Sequence, residues 1–232
     1  MKQITFASFK GGAGKTTAVM AVTSALADMG KKVALIDADE NLPLVEWRES
    51  AGKADTWSDD ISVFEADDLK AFEEAFESAT KRGFDYAIID TRGGGSELNN
   101  ACLINTDLVI IPSALTTLDM TQALTTFEHV IGLHQTMNME ITTALLMQRV
   151  PVGKLTVSQK KDFDALSELP CCETKLHSRD AFAAMGRRGL LHRVFEQIKN
   201  DPMKRISANH MATAMDEARS LANDLLETLG DI

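Results

Sequence analysis

Cysteine is scarce in this chain, and the marks of a secreted or membrane protein are missing. Only Cys102, Cys171 and Cys172 occur among 232 residues, which gives neither a disulfide framework nor a metal-ligand set. No run reaches 18 consecutive apolar residues, so no membrane-spanning helix is expected. The opening Met1-Lys2-Gln3-Ile4-Thr5-Phe6 runs straight into a glycine motif and leaves no room for a signal peptide. These absences predict a protein of a reducing cytoplasm. Linkers, low-complexity tracts and internal repeats are absent as well, which predicts one domain over residues 1–232. Positive net charge is also lacking. With 24 Lys/Arg against 34 Asp/Glu the chain carries −10, which argues against nucleic-acid binding over the whole surface. The deficit is uneven, because residues 149–205 hold 12 Lys/Arg against 7 Asp/Glu.

What is present is an alternation of two hydrophobic periods. Short apolar runs at 4–9, 33–36, 61–64, 85–90, 108–112 and 143–146 read as strands. The segments between them, 16–29, 43–50, 67–81, 97–105 and 118–137, have helical spacing. Such alternation predicts an α/β fold, with a mostly parallel central sheet flanked by helices. Beyond residue 156 helices dominate, at 158–167, 179–188 and 207–229, so the C-terminal part reads as helical.

Between the first strand and the first helix stands Lys10-Gly11-Gly12-Ala13-Gly14-Lys15-Thr16-Thr17. Glycines there let backbone N–H groups turn inward around phosphate oxygens, and the following helix adds the positive end of its dipole. Lys15 is placed to neutralise the β- and γ-phosphates, and the Thr16 hydroxyl to ligate Mg²⁺. Six matching letters arise by chance on the order of once in 10⁵ chains, so a bare glycine cap is a poor reading. A dinucleotide fingerprint fails, because Thr17 stands where the third glycine belongs.

Two further segments supply carboxylates. Asp37 and Asp39 follow a buried strand and share one side of it, since alternate residues do. Tyr86-Ala87-Ile88-Ile89-Asp90 ends a second strand in another acid, of the Walker B type. Acids at the C-terminal ends of parallel strands face the ligand crevice, and Asp90 is placed to reach Mg²⁺. Thr91-Arg92-Gly93-Gly94-Gly95 reads as a mobile switch.

The strict phosphate-loop pattern asks for glycine five residues before Gly14. This chain has Phe9 there, followed by Lys10. In that respect it resembles the deviant Walker A group, the ParA/MinD-like ATPases, from Met1 to about residue 220. The resemblance implies a P-loop NTPase that uses ATP and Mg²⁺, with weak Mg-dependent ATP hydrolysis. It implies an ATP-bound sandwich homodimer in which Lys10 contacts the other subunit's phosphates, as an arginine finger does. It also implies that Asp39 orients the attacking water, that Asp37 supports the Mg²⁺ shell, and that Gln148 and Arg149 contact adenine. Many members carry proline where this chain has Arg92. That arginine is open to two roles, sensing phosphate or meeting a partner.

Some branches of the group are set aside. An iron–sulfur cluster needs paired cysteines near the second switch, where Cys102 stands alone. Residues 221–232 carry Asp224, Glu227 and Asp231 without Lys or Arg, unlike a basic membrane-binding helix. The chain begins at its first strand, so no helix-turn-helix extension is expected. Six segments instead look like VirC-type proteins, ParA-like ATPases of T-DNA transfer. They are residues 8–15, Asp37-Ala38-Asp39-Glu40-Asn41, Asp90-Thr91-Arg92-Gly93-Gly94, Glu97-Leu98-Asn99-Asn100, residues 148–153 and residues 179–185. This resemblance implies a bacterial cytoplasmic protein that binds DNA and meets DNA-processing or secretion-coupling proteins, without membrane insertion.

The basic third fits that implication. Lys175, Arg179, Arg187, Arg188, Arg193, Lys204 and Arg205, with Lys199, outnumber the acids of residues 174–205 and are candidate DNA-phosphate contacts. Cys171-Cys172 reads as structural rather than reactive. His129, His134, His177, His192 and His210 lack metal-ligand spacing. Two further functions stay open, a plasmid-partition ATPase and a P-loop enzyme that phosphorylates or ligates a small molecule.

Overall fold

The six strands that apolar runs predict pair into one sheet, which a short seventh strand completes among the described residues. The computed structural model describes Met1–Asp231; Ile232, the end of the span read as one domain and of the acid-bearing terminal segment, lies outside the described residues. The strands are β1 (Lys2–Phe6), β2 (Val33–Ala38), β3 (Ile61–Glu65), β4 (Tyr86–Thr91), β5 (Leu108–Ser113), β6 (Thr142–Val150) and β7 (Leu176–His177). They lie in the order β3-β2-β4-β1-β5-β6-β7, and every pair is parallel. The helices are α1 (Lys15–Asp28), α2 (Pro43–Lys53), α3 (Leu69–Lys81), α4 (Glu97–Ile104), α5 (Thr117–Thr136), α6 (Val157–Leu166), α7 (Asp180–Arg188), α8 (Leu191–Ile198) and α9 (Arg205–Thr228).

Alternate strand residues feed opposite layers, as the period of two demands. Phe6, Leu35, Ile88 and Ile110 face α1, α2, α7, α8 and α9. Ile36, Ile89, Val109 and Ile111 face the layer that holds α3, α4, α5 and α6. Helix α1 is covered on nearly all sides, which explains its run of alanines and small residues. Helix α9 buries Ala208, Met211, Ala214, Met215, Ala218, Leu221, Ala222 and Leu225, a stripe at helical spacing that packs on α1. Asp68, Ser96, Thr116 and Thr156 cap α3, α4, α5 and α6 by accepting a backbone N–H, worth about 1 kcal/mol each.

Three features differ from the sequence expectation. β6 runs four residues beyond 146, so Gln148 and Arg149 lie within the strand rather than after it. α8 went unseen, although Leu191, Val194 and Ile198 carry helical spacing, because it is only eight residues long. β7 also went unseen. Two residues hold no periodicity, and only pairing with β6 makes them a strand. Just ahead of β7, Cys171 bridges Leu145, and the Cys172 N–H donates to the Leu145 carbonyl at 2.9 Å, so the paired cysteines extend the sheet. Burial pushes the Cys172 thiol up to about 12, so it stays protonated and inert.

Candidate functional site at the strand ends

β1 lies between β4 and β5, so the chain switches sides at β1 and opens a crevice at its C-terminal end. The loop of residues 10–17 leaves β1 at that point. Gly14 sits at φ 88° as the N-cap of α1 and provides no side chain to close the helix. The first N–H groups of α1 are therefore available to an anion. A Cβ at Gly14 would overlap the Gln148 side chain, and the Gln148 amide donates to the Ala13 carbonyl. Gln148 thus props the loop from beneath. Helix α5 braces its start, because the Phe9 N–H donates to the Thr126 hydroxyl at 3.1 Å.

The side chains predicted to act on phosphate and metal converge here. Thr16 Oγ1 donates to Asp90 Oδ2 at 2.5 Å. Asp37 and Asp90 are register partners on β2 and β4, which places both acids side by side. Asp37 Oδ2 accepts from the N–H groups of Leu44 at 2.8 Å and Val45 at 3.2 Å, so it also caps the first turn of α2. Asp39 lies at the rim, where its Oδ1 accepts the Asn41 N–H at 2.9 Å and the Asn41 amide at 2.8 Å.

Burial sets the electrostatics of this group. It pushes Asp90 up to about 7, against the Thr16 hydroxyl and the Lys15 ammonium. It pushes Asp37 up to about 6, against the N–H groups of Leu44, Val45 and Asp39. Lys15 is 6% exposed, and burial pulls its ammonium down, opposed by Asp90 and Asp39. Asp37 Oδ1 and Asp90 Oδ1 are buried without a hydrogen-bond partner. Two orphaned carboxylate oxygens beside a threonine hydroxyl suit a hydrated divalent cation, which satisfies them and favours their ionised forms. Among the described residues, no group of three or more His, Cys, Asp or Glu is placed to hold a metal ion by itself. A cation at Thr16 and Asp90 would therefore take most of its remaining ligands from water and phosphate.

Lys10 is held within its own chain. Its Nζ lies 2.6 Å from Asp119 Oδ1, and the Thr116 hydroxyl donates to Asp119 Oδ2 at 2.7 Å. Burial alone would push Asp119 up; Lys10, Thr116 and Arg149 outweigh it and hold the carboxyl below its ordinary value. The glycine switch packs directly on the loop, where a Cβ at Gly93 would stand 3.1 Å from the Gly11 nitrogen. Asn99 fixes that switch by donating to the carbonyls of Arg92 at 3.1 Å and Gly94 at 2.6 Å.

A cleft of about 190 Å³ adjoins the loop, lined by Thr17, Gln148, Arg149, His177, Arg179 and Phe182 among others. Arg149 takes φ 51° at its edge. Glu217 of α9 fastens the far wall. Its Oε1 accepts from His177 Nδ1 at 2.8 Å and from Arg179 Nε at 2.9 Å. The geometry suits a planar base beside a phosphate loop.

The basic residues of the C-terminal third separate in space. Arg179 belongs to this cleft, paired with Glu217. Lys175 lies over the Phe163 ring at 4.1 Å. Arg187 and Arg188 end α7 and, with Ser207, line two recesses of about 360 and 370 Å³; Lys204 lines the second. Arg193 and Arg205 are exposed on α8 and α9. Sequence reasoning misses Asp119 and Glu217, and it marks Asn99 only as part of a segment, without its bonds to the switch. Thr116 three residues before Asp119 is a legible helix start, but nothing local ties that acid to Lys10.

Fold and loop together define a ParA/MinD-like P-loop NTPase with a deviant Walker A loop. The sequence model of the family described as VirC1 protein matches residues 1–231, and the chain belongs to that family. It is 47% identical over 229 residues to protein virC1 of Rhizobium rhizogenes, covering 99% of each chain. It is 49% identical over 217 residues to protein virC1 of Rhizobium radiobacter, covering 94% of each. Among solved structures, MinD in the MinC:MinD cell division complex of Aquifex aeolicus shares the fold, with a TM-score of 0.68, 20% identity and coverage of 98% and 96%. So does a Borrelia burgdorferi plasmid partition protein bound to AMPPNP, with a TM-score of 0.66, 18% identity and coverage of 97% and 98%. No helix among the described residues is long and apolar enough to cross a membrane.

Proposed function

We propose that this chain is an ATP-driven, DNA-binding switch that dimerises on ATP and positions or delivers DNA, as T-DNA or conjugative transfer requires. The observation that carries this reading is the convergence of Lys15, Thr16, Asp37 and Asp90 at the crevice, with two buried carboxylate oxygens unpartnered. The AMPPNP held by a partition protein of the same fold supports a triphosphate there. The loop N–H groups and Lys15 bind the β- and γ-phosphates. Thr16, Asp90 and Asp37 hold Mg²⁺, which when bound neutralises charge developing on the phosphates. Asp39, at the rim, orients the attacking water, and Arg149 closes on the base. Weak Mg-dependent ATP hydrolysis follows, and slow turnover times release.

Lys10 gives the switch its second subunit. In the sandwich dimer its ammonium exchanges Asp119 for the partner's phosphates, so the ion pair within one chain is replaced by one across two. Arg187, Arg188, Arg193, Lys204 and Arg205 contact DNA phosphates, and pairing two subunits lengthens that surface. Lys175 and Arg179 contribute less, because each is already engaged within the chain. The protein acts in the bacterial cytoplasm, as one unit over residues 1–232, with DNA-processing or secretion-coupling proteins as partners.

The test is Lys10→Ala, followed by sedimentation with a slowly hydrolysed ATP analogue beside DNA titrations at two salt concentrations. Dimerisation and DNA binding should fall while monomer ATP binding is largely spared. A variant that dimerises and binds DNA like the wild type removes the sandwich-dimer mechanism.

A further inference from the structure

Met203 is the most exposed large apolar side chain among the described residues, at 96%, and Ile206 beside it is 74% exposed. Leaving two large apolar groups in water forgoes the stabilisation that burial supplies. The first belongs to a 3-10 turn, Pro202–Lys204, and the second to the opening turn of α9, three positions further on. The turn is firmly built. Asp201 accepts the Met203 N–H at 2.9 Å, its carbonyl accepts the Lys204 N–H at 3.0 Å, and its carboxylate lies 3.4 Å from Lys204 Nζ.

The surroundings of this knob are cationic. Lys204 and Arg205 stand between the two apolar side chains in sequence, both exposed. The adjoining recess is lined by Arg187, Arg188, Lys204 and Ser207, with the neutral Ala54, Val194, Gln197 and Ile198. Asp201 is the one acid within the turn, and it is already engaged. A short apolar projection flanked in sequence by Lys204 and Arg205, beside a recess that Arg187 and Arg188 line, fits a polyanion whose interior is apolar and stacked.

We propose that Met203 and Ile206 form a wedge that enters duplex DNA between base pairs while Arg187, Arg188, Lys204 and Arg205 hold the flanking phosphates. This rests on the DNA-binding reading above and adds to it a mode of contact and a source of selectivity. Inserted apolar side chains partly unstack a base step and bend the duplex, and flexible pyrimidine–purine steps yield most readily. The chain thereby discriminates sequence by deformability, without hydrogen bonds to base edges. An anionic lipid surface is the poorer fit. Helix insertion needs a continuous apolar face, whereas the next exposed positions of α9 are Ser207, Asn209, His210, Thr213 and Asp216.

The experiment compares wild type, Met203→Ser/Ile206→Ser and Arg187→Ala/Arg188→Ala, each with ATP and Mg²⁺. Each is titrated with a duplex carrying 2-aminopurine at a central TA step and end labels that report bending, at two salt concentrations. All three should melt alike, since the substituted side chains are exposed. The serine pair should bind about 10-fold more weakly with an unchanged salt slope, and should lose both the 2-aminopurine signal and the bend. The arginine pair should lower the slope by about 1.8, from roughly 0.9 per phosphate contact. Serine variants that bind and bend DNA like the wild type overturn the wedge and leave the DNA-binding reading standing. A wild type that binds no duplex even at low salt overturns both. Wild-type binding to phosphatidylglycerol vesicles that the serine pair loses, with DNA binding intact, reassigns the knob to lipid and overturns the proposal.

Discussion

Lys15 and Asp90 are buried and face each other across one crevice, whereas Arg187, Arg188 and Arg205 stand in solvent at the ends of two helices. The first group is held by short bonds from fixed strand ends, such as Thr16 to Asp90 at 2.5 Å. The second has few partners, and the pair that Lys204 makes with Asp201 is exposed and worth little. Buried charges are costly without compensation, so their geometry must be prearranged and is intolerant of change. Exposed cations act collectively on a polyanion, where count matters more than placement. Substitutions in the crevice should therefore act in large single steps, and those on the basic surface in small additive ones.

Asp39→Ala gives the largest expected step. It removes water positioning while leaving Lys15 and the loop intact, so turnover should fall by about 10²–10⁴ with ATP binding retained. Single-turnover hydrolysis beside equilibrium nucleotide binding separates the two. A rate near wild type takes Asp39 out of the chemistry. Lys15→Ala comes next. Losing a buried cation that faces phosphate should weaken nucleotide binding by about 100-fold, read by titration with a fluorescent ATP analogue. Unchanged affinity sinks the loop assignment.

On the other side of the comparison, Arg187→Ala and Arg188→Ala taken singly should each weaken DNA binding a few-fold across all sequences. Each should lower the salt slope by about 0.9. A single arginine variant that abolishes binding would show that the surface is prearranged like the crevice and would break the contrast.

The same contrast explains what the sequence could and could not reveal. The crevice is assembled from strand-end segments that each carry a local signature, so Lys15, Thr16, Asp37 and Asp90 stand out in the sequence, and the fold sets Thr16 on Asp90 and Asp37 beside it. Their partners are harder to see. Asp119 lies 109 positions from Lys10 and Glu217 lies 38 from Arg179, and neither spacing is encoded locally. The basic third was legible only as composition. Folding sends Arg179 to the nucleotide side and Arg187 to the other end of α7, though they are eight residues apart. Helix α8 and strand β7 were lost for a related reason, since elements this short owe their form to tertiary packing and pairing.

A further expected effect concerns pH. In the folded chain Asp90 stands at about 7 and Asp37 at about 6, both raised by burial above an unfolded value of about 3.9. Between those limits the folded state holds protons that the unfolded state has released, so stability falls as pH rises through the window. Asp119 and Glu217, held low, act in the opposite sense and lose their contribution only in acid. His192, lowered by burial, opposes the trend below about pH 6.5. Comparison with Asp90→Asn is therefore needed to isolate the carboxylate, because asparagine keeps an acceptor for Thr16 and cannot ionise. Without divalent cation, the wild type should lose a few degrees of melting temperature relative to Asp90→Asn between pH 6 and 8, about 1–2 kcal/mol at this chain length. Mg²⁺ with ATP should abolish the difference by stabilising the ionised carboxylate. Parallel melting profiles without cation would show that Asp90 does not titrate in this range, and that the crevice carries its charge as freely as the basic surface does.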